Sequence, residues 1–79
     1  MMQAVSFQQI MQILSLTDEM EISREAVDIP LTPESPGVVR RLPNGKFEIV
    51  VDSDMPFDEW FQGLEPRIQG LMTDEDKES

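Results

Sequence analysis

The apolar positions of this chain change period along its length, from helical spacing at the start, through alternation in the middle, to helical spacing again. Phe7, Ile10, Met11 and Leu14 stand at i, i+3, i+4 and i+7, which predicts a helix over residues 5–16 with Ser6 as its N-cap. Ile13 and Leu16 widen the stripe, so the helix has a second apolar side to offer the domain or another chain. Thr17, followed by Asp18, Glu19 and Met20, reads as a fresh cap or a turn, because acids favour a helix N-terminus. Residues 21–32 are ambiguous: they admit one more helical turn over residues 24–27 and then an extended piece at residues 29–31, which Pro30 confines to a sheet edge. Pro33, Pro36 and Gly37 exclude a regular element between them.

From residue 38 the pattern is that of a hairpin. Residues 38–42 form one strand, Pro43-Asn44-Gly45-Lys46 the turn and residues 47–52 the return strand, since Asn and Gly both tolerate positive φ. Phe47, Ile49 and Val51 then face the core, Glu48 and Val50 face away, and Arg40 or Arg41 can meet Glu48 across the pair. Ser53 or Asp54 is placed to cap a following helix that takes Pro56 in its first turn, with Asp58 and Glu59 set against the helix dipole. Phe57, Trp60, Phe61, Leu64, Ile68 and Leu71 form its apolar stripe, which Pro66 should kink or split after Leu64.

Together these elements predict a single α+β domain over residues 1–72: an N-terminal helix, an antiparallel β-hairpin, and a C-terminal amphipathic helix laid on the hairpin's apolar face. A lone hairpin is marginal, so residues 28–31 or another chain are expected to add a third strand. Residues 73–79 carry four acids and no apolar side chain, and a disordered tail is expected there. A chain of 79 residues buries only roughly 60–65% of its unfolded surface, while each ordered residue costs about 1.5 kcal/mol of conformational entropy. Dimerisation is the simplest way to enlarge so small a core.

Charge and composition narrow the function classes. Sixteen acidic and six basic residues give a formal charge of −10, which opposes direct attraction to nucleic-acid phosphates or anionic lipid and suits a solubilising surface. With no Cys and no His, thiol nucleophiles, imidazole bases, disulfides and Cys/His zinc sites are absent from this sequence. The first sixteen residues have no basic flank, and glutamines interrupt their apolar run, so neither a secretory signal nor a membrane span is predicted and a cytoplasmic location is the default.

The densest polar group is Asp52-Ser53-Asp54 with Asp58 and Glu59, four carboxylates that are weak candidates for a hard cation. The spacing lacks the glycine and further oxygens of a calcium loop, and capping plus ordinary surface charge explains the same residues. Ser53 has no adjacent base, so no catalytic residue is assigned and no cofactor is expected. Arg40, Arg41 and Lys46 read as a counter-surface for the protein's own acids rather than a phosphate site.

The run over residues 42–71, with its Pro-Asn-Gly turn, its Ile49-Val50-Val51 strand and its acidic, proline-started helix, resembles the hairpin and helix of small zinc metallopeptidase-like domains. The resemblance implies that the helix would continue into a His-Glu-x-x-His motif. Here that stretch reads Gly63-Leu64-Glu65-Pro66-Arg67-Ile68 and has neither histidine. What it implies is a truncated, inactive relative retained for binding or regulation.

The leading expectation is therefore a non-enzymatic protein-protein interaction or assembly module, with Phe7, Ile10, Ile13, Trp60 and Phe61 as its surface and a second copy or another protein as partner. A small metal-dependent hydrolase or its subunit, using Asp52, Asp54, Asp58 and Glu59, is the first alternative. An acidic nucleic-acid mimic is the second, though residues 38–72 set six acidic side chains against four basic ones, which leaves little contiguous negative surface there.

Overall fold

The computed structural model describes the backbone of residues 4–78 and the side chains of residues 4–72. Helix α1, Phe7–Glu19, begins with a reciprocal cap: Ser6 Oγ accepts from Gln9 N at 3.1 Å and Gln9 Oε1 accepts from Ser6 N at 3.0 Å. It runs through Thr17 instead of restarting there. That side chain is fully buried, and its hydroxyl donates to the Leu14 carbonyl at 3.0 Å, so it is satisfied inside the helix and is not a cap. The helix ends two residues later, where Glu21 takes φ 64° and the amides of Glu21 and Ile22 bond back to Asp18 O and Thr17 O at 3.0 and 2.9 Å. This is a Schellman termination, and Ile22 and Thr17, the pair it brings together, are both buried.

After a 3₁₀ turn at Arg24–Ala26 the chain builds a three-stranded mixed sheet from β1 (Val27–Asp28), β2 (Val39–Arg41) and β3 (Phe47–Ile49), in the order β1-β3-β2. The β2–β3 hairpin has the expected register, with Arg40 opposite Glu48. Its turn differs in detail. Gly45 N bonds to Leu42 O at 2.9 Å and only Gly45 is left-handed (φ 90°), while the Asn44 side chain accepts from Lys46 N at 3.0 Å. The third strand lies at residues 27–28, earlier than expected, and pairs with β3 in parallel: Val27 opposite Phe47 and Asp28 opposite Glu48.

That parallel pairing dictates an unusual path. Beyond β1 the chain stays beside β3, with Glu34 N bonded to Val51 O at 3.0 Å and Ser53 N to Glu34 O at 2.9 Å. It then passes through the cis Ser35-Pro36 peptide and crosses the end of β3 at Gly37, to return on the other side as β2. Val38 and Val50 exchange both backbone hydrogen bonds, at 3.1 and 2.7 Å. At the crossing the backbones are in contact: a Cβ on Gly37 would stand 2.5 Å from Asp52 N and 2.6 Å from Val50 O.

The C-terminal amphipathic segment is two helices, α2 (Phe57–Gln62) and α3 (Leu64–Glu78), broken at Gly63. The break precedes Leu64, so Pro66 falls in the first turn of α3, where its missing N–H has no intrahelical partner to lose. Pro56 is the N-cap of α2 and no side chain caps that end, because Asp54 is engaged elsewhere. The α3 backbone is helical to Glu78; the side chains of residues 73–79, where a disordered tail is expected, lie outside the described residues.

Helix α3 lies against β2 and α2, so the C-terminal helix does cover the sheet. Between them sits one core of Val5, Ile13, Ile22, Phe47, Ile49, Val51, Phe57, Trp60, Leu64 and Ile68. Phe47, Ile49 and Val51 face it as their alternation requires. Val50, on the opposite face of the strand, is also buried but stands outside that cluster.

Candidate interaction surface

Five apolar side chains were expected to share a surface, and the fold separates them. Ile13 is fully buried and Trp60 is 2% exposed, so both belong to the core of a single chain. The reason is angular: Ile13 and Thr17, four residues apart, define the buried line of α1, which leaves the face through Phe7, Met11 and Leu14 turned outward. Phe7 is 75% exposed, Met11 and Leu14 are half-buried, and Ile10 lies at the edge of the core. Trp60 and Phe61 diverge as adjacent helical residues must. Trp60 packs inward, 5.6 Å from the Phe57 ring, while half-buried Phe61 stacks on Phe57 at 5.5 Å and 21° and reaches the surface. Among the described residues the buried Trp60 Nε1–H has no hydrogen-bond partner, so apolar packing is what holds this ring.

Phe61 closes an open groove of about 380 Å³ between α1 and α2, whose other walls are Met11, Gln12, Ser15, Leu16 and Glu19. None of these five was anticipated as a site residue. The signal was present in the width of the α1 stripe, since Leu16 and Met11 lie on opposite flanks of the helix and both were apolar. Outside the groove the large exposed apolar side chains among the described residues are Phe7, Leu31 and Val38, with Leu31 O accepting from Val5 N at 2.9 Å just before α1.

The four acids do not form one cluster. Asp52 Oδ1 accepts from Asp54 N at 2.7 Å and Asp52 Oδ2 from Gly37 N at 3.1 Å, which ties the carboxylate to the crossing loop. These two backbone donors, first Asp54 N and then Gly37 N, hold its pKa below the ordinary 3.8 against a smaller opposing effect of burial, and the Arg67 charge adds the least. Asp54 accepts from the Ser35 hydroxyl, and Asp58 and Glu59 sit in the first turn of α2 as expected. Among the described residues no group of three or more acids is placed to hold a metal ion. The chemistry of Asp52 and Asp54 is thus that of loop fixation.

Three of the basic side chains have local partners. Arg40 Nε donates to Glu48 at 2.5 Å, Arg24 pairs with Asp18 at 2.9 Å, and Arg41 lies 4.6 Å over the Phe47 ring. Among the described residues no helix is long and apolar enough to cross a membrane. The molecule is thus a small α+β domain with a mixed sheet, a bent C-terminal helix and an apolar groove on its helical side. Compared with protein-family models, with curated proteins and with solved structures, the chain matches none.

Proposed function

We propose that this chain is a non-enzymatic protein-protein interaction or assembly module whose contact surface is the α1–α2 side. The observation that carries the reading is the outward face of α1. Phe7, Met11 and Leu14 share it, Phe7 is 75% exposed, and the α1–α2 groove adjoins it at Met11. A large aromatic held in water on a capped, well-formed helix contributes little to folding, whereas aromatic and methionine side chains contribute strongly once a partner desolvates them. The sequence-level resemblance to metallopeptidase-like domains is compatible with this role, because the stretch that would carry their motif is the Gly63 break and the first turn of α3.

Panning a displayed random-peptide library against the immobilised domain tests the reading. Binders should lose affinity about tenfold for the double variant Phe7→Ser/Met11→Gln, whose far-ultraviolet circular dichroism and melting should match the parent, since each removed side chain is a surface anchor. A library that yields no binder, or binders indifferent to both substitutions, removes it.

A further inference from the structure

The groove does not end at Gln12. A second recess of about 350 Å³, lined by Gln8, Gln9, Pro56 and Asp58, meets the first at Gln12, which lines both. Sharing the Gln12 wall, the two recesses follow one another along α1 as a trough in two halves, from Asp58 at one end to Glu19 at the other. Gln8 to Glu19 is eleven steps of helix, or about 16 Å, the span of a three-turn helix. Its Glu19 half is apolar, with Met11, Leu16 and Phe61 beside the uncharged Ser15, while its Asp58 half is largely polar and uncharged, with Ser6, Gln8 and Gln9 beside Pro56 and Phe57; Gln12 stands between the halves. Neither α1 nor α2 contains a single basic residue, while both carry acids: Asp18 and Glu19 on α1, Asp58 and Glu59 on α2.

We propose that the trough receives an amphipathic helical segment of a basic partner protein, with apolar residues on its inner face and Lys or Arg near each end to meet Asp58 and Glu19. This deepens the interaction-module reading and rests on it. Helix-in-groove docking supplies the apolar anchors, and the charge pattern selects the occupant. A second copy of this chain fits poorly, because it would bring another −10 and another acid-rimmed face against the first.

The test uses the full chain and two synthetic probes, a 14-residue amphipathic helix of Leu and Lys and the same peptide with every Lys replaced by Glu. Amide chemical shifts are followed in a titration at physiological salt, alongside sedimentation of the chain alone. The Lys peptide should saturate, with shifts concentrated on Met11, Ser15 and Phe61, and the Glu peptide should not bind. The variant Glu19→Lys/Asp58→Lys should weaken the Lys peptide about tenfold, and Glu25→Lys, equally acidic but away from the trough, should change it less than twofold. Equal binding of both peptides, shifts centred on other surfaces, or equal loss in Glu25→Lys would overturn the inference. Self-association abolished by Phe7→Ser/Met11→Gln, with no peptide bound, overturns the basic partner and keeps the interaction module. Absence of both peptide binding and self-association removes both.

Discussion

At Glu21 the chain places a full side chain in the left-handed region (φ 64°), and at Gly37 it leaves out a side chain because there is no room for one. The two positions predict substitutions of opposite sign. Glu21→Gly relieves the left-handed strain while keeping the Schellman hydrogen bonds, and should stabilise by about 0.5–1 kcal/mol in urea unfolding, the gain in the folded state exceeding the added freedom of the unfolded chain. Gly37→Ala drives a Cβ to within 2.8 Å of backbone atoms of Val50 and Asp52, which cannot rotate away, and should cost about 3 kcal/mol. Asp52, beside that crossing, predicts a pH dependence. Its folded pKa is depressed, so its contribution is complete above the unfolded value of 3.8 and is lost as pH falls through the lower folded value. A carboxyl-carbon titration should place its midpoint below 3.8, and Asp52→Asn should flatten the acid limb of stability against pH. A midpoint at or above 3.8 would contradict the two amide donors.

Among the elements, the position of Pro66 changes what its removal should do. Had the helix run unbroken to Leu71, Pro66→Ala would restore a hydrogen bond and gain about 3 kcal/mol. With the break at Gly63 and Pro66 in the first turn of α3, the same change should stay within about 0.5 kcal/mol in thermal or urea unfolding. The elements that local chemistry determines were legible in the sequence: Ser6 as cap, the hairpin with Arg40 across from Glu48, the inward Phe47, Ile49 and Val51. The misplaced features depend on distant partners. Thr17 resembles a cap until its side chain is known to be buried against the core. Ser53 and Asp54 resemble caps until residues 34–37 arrive beside residues 50–54 and engage Asp54 through Ser35. The parallel strand at residues 27–28 has no local signal, because two residues carry no period and their pairing is decided twenty positions away.

At the scale of the molecule, the same limit explains the site: apolar spacing identified the faces of α1 and α2 but not which line of each turns inward, so Ile13 and Trp60 were grouped with Phe7 and Phe61. What composition did convey is charge, and charge sets the last prediction. A formal −10 is carried on a body with a Cα radius of gyration of 12.3 Å, so unpaired acids on one side lie within the field of those on the other at low ionic strength. The Debye length falls from about 30 Å at 0.01 M to about 8 Å at 0.15 M, so added salt should screen most of that repulsion. Salt also weakens Arg24–Asp18 and Arg40–Glu48, but the first pair is half-exposed at both ends and the Arg40 side chain is 63% exposed, so each is worth only about 0.2–1 kcal/mol before screening. Repulsion spread over the whole surface should win. Melting followed by circular dichroism should show Tm rising with sodium chloride across this range by roughly 4–8 °C, the shift that about 1 kcal/mol produces in a domain of this size. A Tm that falls with salt would mean that the ion pairs outweigh the net charge, and that the acidic rim of the trough is more fully neutralised within the chain than a basic partner requires.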